Sequence, residues 1–428
     1  MRCWLIRVLA IGWFGFGFVS RVPADTHAYI PDTGGNRVVQ VAADETVATV
    51  NLEGEPYGVA VTPDGRRVVV SRTADGIVTV ISTDPFVDGS QDHITVGAAP
   101  RGVAVTPDGF AFVANFDDDT VSQISLASLA VVDTIAVGSG PWGVAAFFDE
   151  ADATRRVYVS NHLDDSLSVI SADEATLISA VGNGPIGMAL TPDGQWLYVA
   201  NYNDDTVAVI RTSDHSLFDV VRVGDGPWGV AVGARGESVF VTNSLSDSVS
   251  VIRVSDNLVE RVYRVGRQPL GVAAPANGDF AYVVNSLSNT VTRIDHVDQT
   301  ATTILADELN GAVGLGAFVG GPPPAAPSAL SAKAESSGRI ALSWTDNADD
   351  EIGFAVERRR DSNADFTEVA RVAANRSTFN DGNLQSDTTY HYRVRAFNET
   401  GFSTYSGTAQ ATTEEGKFSM CFIGTLLH

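Results

Sequence analysis

Large aromatic and cationic side chains recur at one position of the sequence, between a proline and a glycine. This Pro-x-Gly position holds Tyr57, Arg101, Trp142, Ile186, Trp228 and Leu270 in six successive copies. Tyrosine, tryptophan and arginine dominate the energetics of binding surfaces, because they bury a large area and also carry polar groups. The spacing predicts that Tyr57, Arg101 and the two tryptophans form a ligand-binding set on one face. The alternative interpretation is structural, with the same rings plugging a channel or packing on neighbouring elements.

One histidine is expected on the same face. His162 follows Asn161 in a predicted turn and precedes Asp164 and Asp165, which gives three hypotheses for its imidazole: ligand binding, acid–base chemistry or metal binding. A histidine that only occupies a surface turn is the commoner case. The sequence has no H-E-x-x-H, G-x-S-x-G or C-x-x-C motif, and its seven histidines are scattered. We therefore predict no catalytic residue and no cofactor, and we add His162 to the ligand-binding hypothesis.

Acidic pairs and triplets follow several of the predicted strands. The carboxylates that could form a metal site are Asp117, Asp119, Asp164, Asp165, Asp204 and Asp205. Calcium prefers such ligands, but no turn shows the D-x-D-x-D-G series of a calcium loop. Short aspartate side chains also hydrogen-bond the backbone of tight turns. The expectation is that these residues make turns, with metal binding as the weaker alternative.

The elements that carry these residues repeat with a fixed period. The glycine of the repeat recurs at Gly58, Gly102, Gly143, Gly187, Gly229, Gly271 and Gly314, which gives steps of about 42 residues. Each complete unit contains four short alternating segments, with Pro-Asp-Gly and Asn-x-x-Asp turns between some of them. Four such segments per unit predict a four-stranded antiparallel blade, and the fold class is therefore an all-β propeller.

The two ends of the repeat region complement each other. The segment at 29–32 (YIPD) corresponds to a second strand that has no first strand before it, and 311–320 (GAVGLGAFVG) corresponds to a first strand with nothing after it. Joining them makes one blade and removes the exposed edges of an open array. The sequence predicts seven blades over 25–320. In such a blade, the turn between the second and third strands lies on the same face as the Pro-x-Gly connections.

The repeated segments YVSN, YVAN and FVTN, together with PxGVAVTPDG and DDTVAVI, resemble the YVTN family of β-propeller repeats. The resemblance implies a seven-bladed propeller of a secreted or surface protein, and it implies no single activity. The unit after Gly143 departs from the pattern, because AAFFDEADATRR replaces AVTPDG and lengthens the first hairpin.

A proline-rich linker at 321–326 separates the repeats from a second domain at 327–414. Beyond the linker, alternating segments such as RIALSW and YHYRVRAFN are typical of sandwich strands. These segments resemble a fibronectin type III domain. The resemblance implies that Trp344 is a core tryptophan and that Leu384 and Tyr390 form the tyrosine-corner pair.

Both ends of the chain carry targeting patterns. Residues 1–24 combine Arg2 and Arg7 with a short apolar run and a small-residue site at Ala24, as in a signal peptide. No other segment is long and apolar enough to span a bilayer, so we predict no transmembrane segment. The tail at 415–428 resembles the start of a CFI-box sorting segment around Cys421. These patterns predict a secreted or extracytoplasmic protein, with surface anchoring through the tail as a weaker hypothesis.

The charge of the chain limits its partners. A formal net charge of -24, from 52 acidic and 28 basic residues, repels phosphate backbones and anionic lipid surfaces. The leading hypothesis is a non-catalytic binding or scaffold protein that takes an extracellular or cell-envelope protein or a carbohydrate, and no nucleic acid. The alternative is a propeller enzyme of the lactonase or lyase kind, for which Arg101 and His162 are the available groups.

Overall fold

The computed structural model describes residues 27–415, apart from 43–44, 85, 150–153, 172–173, 180, 234–235, 276–279, 307–308, 315, 317, 321–323, 349–350, 352, 361–365 and 399–400. The expected signal peptide and the tail around Cys421 lie outside the described residues. Within the described part of the chain, no helix is long and apolar enough to cross a membrane.

The described residues between 27 and 320 form seven four-stranded antiparallel sheets, the blades of a propeller. Blade 1 contains a 3₁₀ turn (Thr33–Gly35) and strands β28 (Val319–Gly320), β1 (His27–Asp32), β2 (Arg37–Ala42) and β3 (Glu45–Asn51). Blade 2 contains β4 (Pro56–Val61), β5 (Arg67–Arg72), β6 (Ile77–Ser82) and β7 (Gln91–Thr95). Blade 3 contains β8 (Pro100–Thr106), β9 (Phe110–Asn115), β10 (Thr120–Ser125) and β11 (Ala130–Ala136).

The remaining four blades follow the same order from the inner to the outer strand. Blade 4 contains β12 (Pro141–Asp149), β13 (Thr154–Asn161), β14 (Ser166–Ser171) and β15 (Glu174–Ser179). Blade 5 contains β16 (Pro185–Leu190), β17 (Trp196–Asn201), β18 (Thr206–Arg211) and β19 (Ser216–Arg222). Blade 6 contains β20 (Pro227–Val232), β21 (Ser238–Asn243), β22 (Ser248–Arg253) and β23 (Leu258–Arg264). Blade 7 contains β24 (Pro269–Ala273), β25 (Phe280–Asn285), β26 (Thr290–Asp295) and β27 (Thr300–Ala306).

The apolar core lies between adjacent blades. Val69 and Val80 of blade 2, for example, belong to one buried cluster with Val103 and Val113 of blade 3. β-Branched residues suit this position because they pack well on a pleated surface that is covered on both sides. The outermost strands are mostly exposed, and β11 has a single buried residue, Ile135.

The ring is closed by its two ends, as the sequence predicts, but the closing strand is shorter than expected. β28 pairs with β1 only through His27 with Gly320 and Ala28 with Val319, while the Tyr29 N–H donates to the Phe318 carbonyl at 2.7 Å. The expected strand at 311–320 is interrupted because Gly311, Gly314 and Gly316 have φ values of 64°, 66° and 119°. Left-handed backbone of this kind cannot continue a β ladder.

The inner strands approach one another closely at the glycines of the Pro-x-Gly motif. A Cβ atom at Gly143 would overlap the carbonyl oxygen of Ile186 in the next blade, and one at Gly187 would overlap that of Trp228. The same relation holds for Gly58 with Arg101, Gly102 with Trp142, Gly229 with Leu270, and Gly271 with Gly314. The glycine is therefore required by the distance between blades.

In alternate blades, a hydroxyl group on the second strand links the inner strand of its own blade to the inner strand of the next blade. In blade 4, Ser160 accepts a hydrogen bond from the Gly143 N–H at 2.8 Å and donates to the Ile186 carbonyl at 2.6 Å. Ser71 and Thr242 do the same in blades 2 and 6. The corresponding residues of blades 3, 5 and 7 are Ala114, Ala200 and Val284, which lack a hydroxyl. The third position of the YVTN-like segment therefore alternates between linking adjacent blades and filling space.

The second domain is a sandwich of two sheets. One sheet contains β29 (Ser328–Ser336), β30 (Arg339–Thr345) and β33 (Thr378–Asp381). The other contains β31 (Gly353–Arg359), β32 (Thr367–Ala373), β34 (Thr389–Asn398), β35 (Gly401–Phe402) and β36 (Ala409–Thr412). Trp344 is buried against Phe354, with ring centroids 5.4 Å apart. The Tyr390 hydroxyl accepts from the Gln385 N–H at 3.1 Å, which is the expected tyrosine corner, with Leu384 beside it in the core.

The contact between blades leads to a stability prediction. Gly143→Ala should lower the free energy of unfolding by at least about 2 kcal/mol, because the added methyl group has no room beside the Ile186 carbonyl. Gly233→Ala is the matched control, since its Cβ would meet its nearest neighbour at an ordinary 3.4 Å. Urea denaturation measures both. Equal stability of the two variants would contradict the steric role of the Pro-x-Gly glycine.

Candidate binding site at the mouth of the channel

Two repeated positions place side chains around one end of the central channel. The first is the middle residue of Pro-x-Gly, at the start of each inner strand. The second is the residue that follows the asparagine ending the second strand, such as Phe116, His162 and Tyr202. Both positions lie on the same face, because the turns that carry the second position hydrogen-bond to the connections that carry the first. We call this face the mouth face.

The Arg101 guanidinium lies among aromatic rings. Its central carbon is 3.8 Å from the Phe116 ring centroid and 3.6 Å from that of Trp142, and Tyr57 is 5.7 Å away. Cation–π contacts at such distances are favourable, and they strengthen when the cation is partly desolvated. Asp117, on the exposed turn next to Phe116, is close enough to act on the Arg101 charge. The arginine is therefore held by stacking as well as by charge.

Trp142 is the centre of the aromatic contacts. Its ring centroid is 4.9 Å from His162, 5.4 Å from Trp228, 5.4 Å from Phe116 and 6.4 Å from Tyr57. All four pairs have edge-to-face geometry, which aromatic rings prefer over direct stacking. Tyr202 extends the set by contacting Trp228 at 5.6 Å. We call Tyr57, Arg101, Phe116, Trp142, His162, Tyr202 and Trp228 the mouth cluster.

Burial tunes the titrating groups of the mouth cluster. It raises the pKa of Tyr57 to about 12, although the Arg101 charge acts in the opposite direction, so the phenol is protonated at neutral pH. Burial lowers the pKa of His162 below its usual value, and Arg101 acts in the same direction. The imidazole is therefore neutral at pH 7, which is the form that can accept a proton.

The cluster holds several nitrogen atoms that lack a hydrogen-bond partner among the described residues. They are Arg101 Nε, Trp142 Nε1, Trp228 Nε1 and His162 Nδ1. Trp142 and Arg101 lie close enough to the Tyr57 hydroxyl to oppose the rise in its pKa, but neither Trp142 Nε1 nor Arg101 Nε has a hydrogen bond of good geometry to it. Buried donors normally find an acceptor, so oxygen atoms of a ligand or of water are the groups that would suit them.

Exposed leucines stand at the tips of the surrounding turns. Leu163, Leu245 and Leu287 occupy equivalent turn positions and are 63%, 63% and 59% exposed. The corresponding residues in blades 3 and 5 are Asp117 and Asn203. Apolar tips around an aromatic centre are a feature of surfaces that bind other molecules.

The acidic turns join consecutive connections. Asp165 Oδ1 accepts from the Gly184 N–H at 2.7 Å, and Asp164 Oδ2 accepts from the Ser139 N–H at 2.8 Å. Asp118 with Ala98, Asp119 with Gly140, Asp204 with Asn183, and Asp205 with Gly226 make the corresponding bonds. The sequence predicts that these carboxylates bond the backbone of their own turns, but the hydrogen bonds above instead join them to the backbone of the connections before and after their blade.

Metal-binding capacity was the alternative role of these carboxylates. Among the described residues, no group of three or more histidine, cysteine, aspartate or glutamate side chains has the arrangement to hold a metal ion. The last acidic residue of three turns has φ near 55°, at Asp119, Asp165 and Asp205. Aspartate and asparagine adopt this left-handed conformation more readily than most residues. Turn geometry and hydrogen bonding thus account for the acidic residues of these positions.

The channel continues behind the mouth cluster as a cavity of about 490 Å³. It is lined by the inner strands, with aliphatic residues such as Val103, Ala145 and Met188, and Phe402 of the sandwich also borders it. The residues that line this cavity carry no charge.

The five residues of the ligand-binding hypothesis meet in one cluster. Tyr57, Arg101, Trp142 and Trp228 converge from blades 2, 3, 4 and 6, and His162 packs on Trp142. The other two middle residues, Ile186 and Leu270, are buried. Phe116 and Tyr202 were not foreseen, although both occupy the repeat position of His162. Comparing that position across repeats would have identified them.

The fold and the mouth cluster define a seven-bladed β-propeller followed by a β-sandwich. Two models of protein families match parts of the chain: "Lactonase, 7-bladed beta-propeller" at residues 145–219 and "Fibronectin type III domain" at residues 325–412. A protein of Bacillus subtilis (strain 168), "Uncharacterized protein YwhL", is 31% identical over 210 residues. That match covers 47% of this chain and 45% of the relative. The resemblance to YVTN repeats and to a CFI-box tail stays a prediction.

Solved structures share the propeller fold at low sequence identity. Kuenenia stuttgartiensis hydrazine synthase has a TM-score of 0.55 at 19% identity, covering 66% of this chain and 99% of that chain. A streptogramin B lyase has a TM-score of 0.52 at 12% identity, with 67% and 89% covered. Virginiamycin B lyase from Staphylococcus aureus has a TM-score of 0.50 at 14% identity, with 61% and 91% covered. At these identities the similarity concerns the fold alone.

The acidic turns give a prediction that separates hydrogen bonding from metal binding. Asp165→Asn should change the free energy of unfolding by less than about 0.5 kcal/mol, because Asn289 makes the equivalent bond to the Gly311 N–H at 2.9 Å in blade 7. Asp165→Ala should cost about 2 kcal/mol, since it removes the acceptor and places alanine at positive φ.

Urea denaturation with and without calcium provides the measurement. Calcium and chelator should leave all three proteins unchanged. Stabilisation of the wild type by calcium, lost equally in the asparagine and alanine variants, would instead identify Asp165 as a metal ligand.

Proposed function

We propose that the chain is an extracytoplasmic, non-catalytic binding protein whose mouth face takes a protein partner or a carbohydrate. The observation that carries the proposal is the convergence of Arg101, Trp142 and Trp228 with four further side chains at one end of the channel. The repeat places these residue types together, and the fold holds them on rigid strand ends and tight turns. The signal-peptide pattern at 1–24 supports a location outside the cytoplasm.

The surroundings of the cluster favour a protein over a carbohydrate. A sugar would stack on a flat, open aromatic face, whereas the Trp142 ring contacts His162, Trp228, Phe116 and Arg101. The leucine tips add exposed apolar area beyond the rings. Together they form an aromatic centre with an apolar and acidic surround, which suits a protein surface that has an apolar core and at least one oxygen acceptor for Arg101.

The proposal predicts which substitutions abolish partner capture. The triple variant Arg101→Ala, Trp142→Ala, Trp228→Ala should lose at least tenfold in affinity, because such residues each contribute more than 1 kcal/mol in binding centres. The double variant Leu163→Asp, Leu245→Asp should also lose binding while leaving the cluster in place. Capture from the secreted proteins of the source organism and from a glycan array, followed by titration of the captured partner, provides the measurement.

A matched control uses exposed apolar residues elsewhere on the propeller. Leu258→Asp, Val262→Asp changes two residues of β23 that are 60% and 57% exposed, on the outer edge of blade 6. This variant should bind as the wild type does, and circular dichroism should show all three variants folded. Binding that survives in the triple and Leu163/Leu245 variants would move the site away from the mouth face.

A lactonase or lyase activity is the second candidate. It is favoured by the lactonase model that matches residues 145–219, the part of the chain that contains His162. If the cluster opens lactones, His162 is the available base, and its lowered pKa keeps it neutral and able to accept a proton at pH 7. We expect no hydrolysis of acyl-homoserine lactones or gluconolactone above the uncatalysed rate. Turnover that disappears in both His162→Ala and Arg101→Ala would favour the enzyme instead.

A further inference from the structure

Blade 4 differs from the other blades at its first hairpin, on the face opposite the mouth. Strands β12 and β13 are longer than their counterparts, and β13 begins with Thr154, Arg155 and Arg156. Counted back from the final asparagine, Arg156 occupies the position of Phe110, Trp196 and Phe280 in blades 3, 5 and 7. Blade 4 thus has a guanidinium group where three repeats have an aromatic ring, and blade 2 also has an arginine there, Arg67.

Arg156 borders a cavity of about 700 Å³. The cavity runs along the hairpin face from blade 3 across blade 4 to the β18–β19 turn of blade 5. Arg155, Arg156 and His215 line it together with hydroxyl groups such as those of Ser171 and Ser213, and Val157 and Ile170 supply apolar surface. None of the described residues that line it is acidic. In a chain with 52 acidic and 28 basic residues, a cavity of this composition is a local reversal of charge.

The two arginines have different surroundings. Arg155 is engaged, because its Nε is 3.0 Å from Asp108 Oδ2 and its guanidinium lies 4.2 Å from the Phe110 ring centroid. The charge of Arg156 acts to lower the pKa of the Tyr158 hydroxyl and the pKa of His215, and both of these groups are neutral at pH 7. Within the described part of the chain, Arg156 has no ion pair.

The neutral neighbours of Arg156 are themselves fixed. The Tyr158 hydroxyl lies 3.3 Å from His215 Nδ1, and burial together with Arg156 lowers the pKa of His215. Asp214, the nearest acidic residue of the same turn, is held by Arg211 at 3.3 Å and by the Ser216 hydroxyl at 2.7 Å. Asp214 is therefore engaged by Arg211 and Ser216 and does not form an ion pair with Arg156.

We propose that this cavity binds a small organic oxyanion, a carboxylate, sulfonate or phosphate carried on an apolar body. Arg156 supplies the charge partner, with N–H groups in the planar arrangement that matches an oxyanion. Val157 and Ile170 receive the apolar part of the ligand. Since the net charge of -24 opposes anions at long range, binding depends on these short-range contacts and not on steering.

Two dyes that differ in one charged group test the proposal. The probes are 1-anilinonaphthalene-8-sulfonate and its uncharged counterpart N-phenyl-1-naphthylamine, titrated against the full chain by fluorescence. The wild type should bind the sulfonate dye at least fivefold more tightly than the neutral dye. Arg156→Gln should weaken the sulfonate dye about tenfold and leave the neutral dye unchanged, as expected for the loss of one charge-assisted contact.

Matched controls separate the site from general charge effects. Arg222→Gln makes the same charge change at an exposed residue of β19 and should not alter either dye. Arg156→Lys should retain most of the preference, which keeps the test valid if Arg156→Gln folds poorly. Benzoate should displace the sulfonate dye from the wild type. Unchanged binding of the sulfonate dye in Arg156→Gln, or equal weakening of both dyes, would overturn the proposal.

The outcome is independent of the proposed function. The Arg101, Trp142 and Trp228 triple variant alters the opposite face and should keep the dye preference of the wild type. A loss of that preference in the triple variant would also overturn the proposal, because it would place the dye at the mouth cluster.

Discussion

The closest approach between neighbouring blades, at the Pro-x-Gly motif, is the constraint on which the rest of the propeller depends. Six glycines each face a backbone carbonyl of the next blade, so any side chain there would push two blades apart. The same contact holds the middle residue of the motif, because the carbonyl group of that residue packs against the motif glycine of the preceding blade. Its side chain is then carried on backbone that cannot easily move. A packing requirement of the ring thus also makes the mouth cluster rigid.

The acidic turns act as a second set of links on the same face. Each bridges the connection that enters its blade and the one that leaves it, as Asp164 and Asp165 do with Ser139 and Gly184. These bonds hold the turn that carries His162 against the connection that precedes Trp142. Much of the negative charge on this face is therefore structural. Its electrostatic effect on ligands is a consequence of how the turns are built.

The sequence predicts the number of blades, the closure and the face of the candidate site, because all three follow from the repeat period. It does not predict the stacking of Arg101 between Phe116 and Trp142, since that depends on which side chain reaches across from the neighbouring element. It also overestimates the closing strand, because three glycines with left-handed backbone interrupt a segment that looks apolar and extended. Repetition predicts backbone well, and it predicts side-chain contacts only where the repeats agree.

The differences among the repeats carry the functional information. The mouth cluster is confined to blades 2 to 6, and the position of His162 is serine in blades 6 and 7, at Ser244 and Ser286. The mouth therefore has large aromatic side chains on one side and small serine side chains on the other. This asymmetry lets a scaffold of seven similar blades bind a ligand in one orientation. On the opposite face, the lengthened hairpin of blade 4 breaks the repeat again, next to the cavity that Arg156 lines. A uniform ring offers equivalent surfaces, so each departure from the repeat makes one blade chemically distinct, and blade 4 departs on both faces.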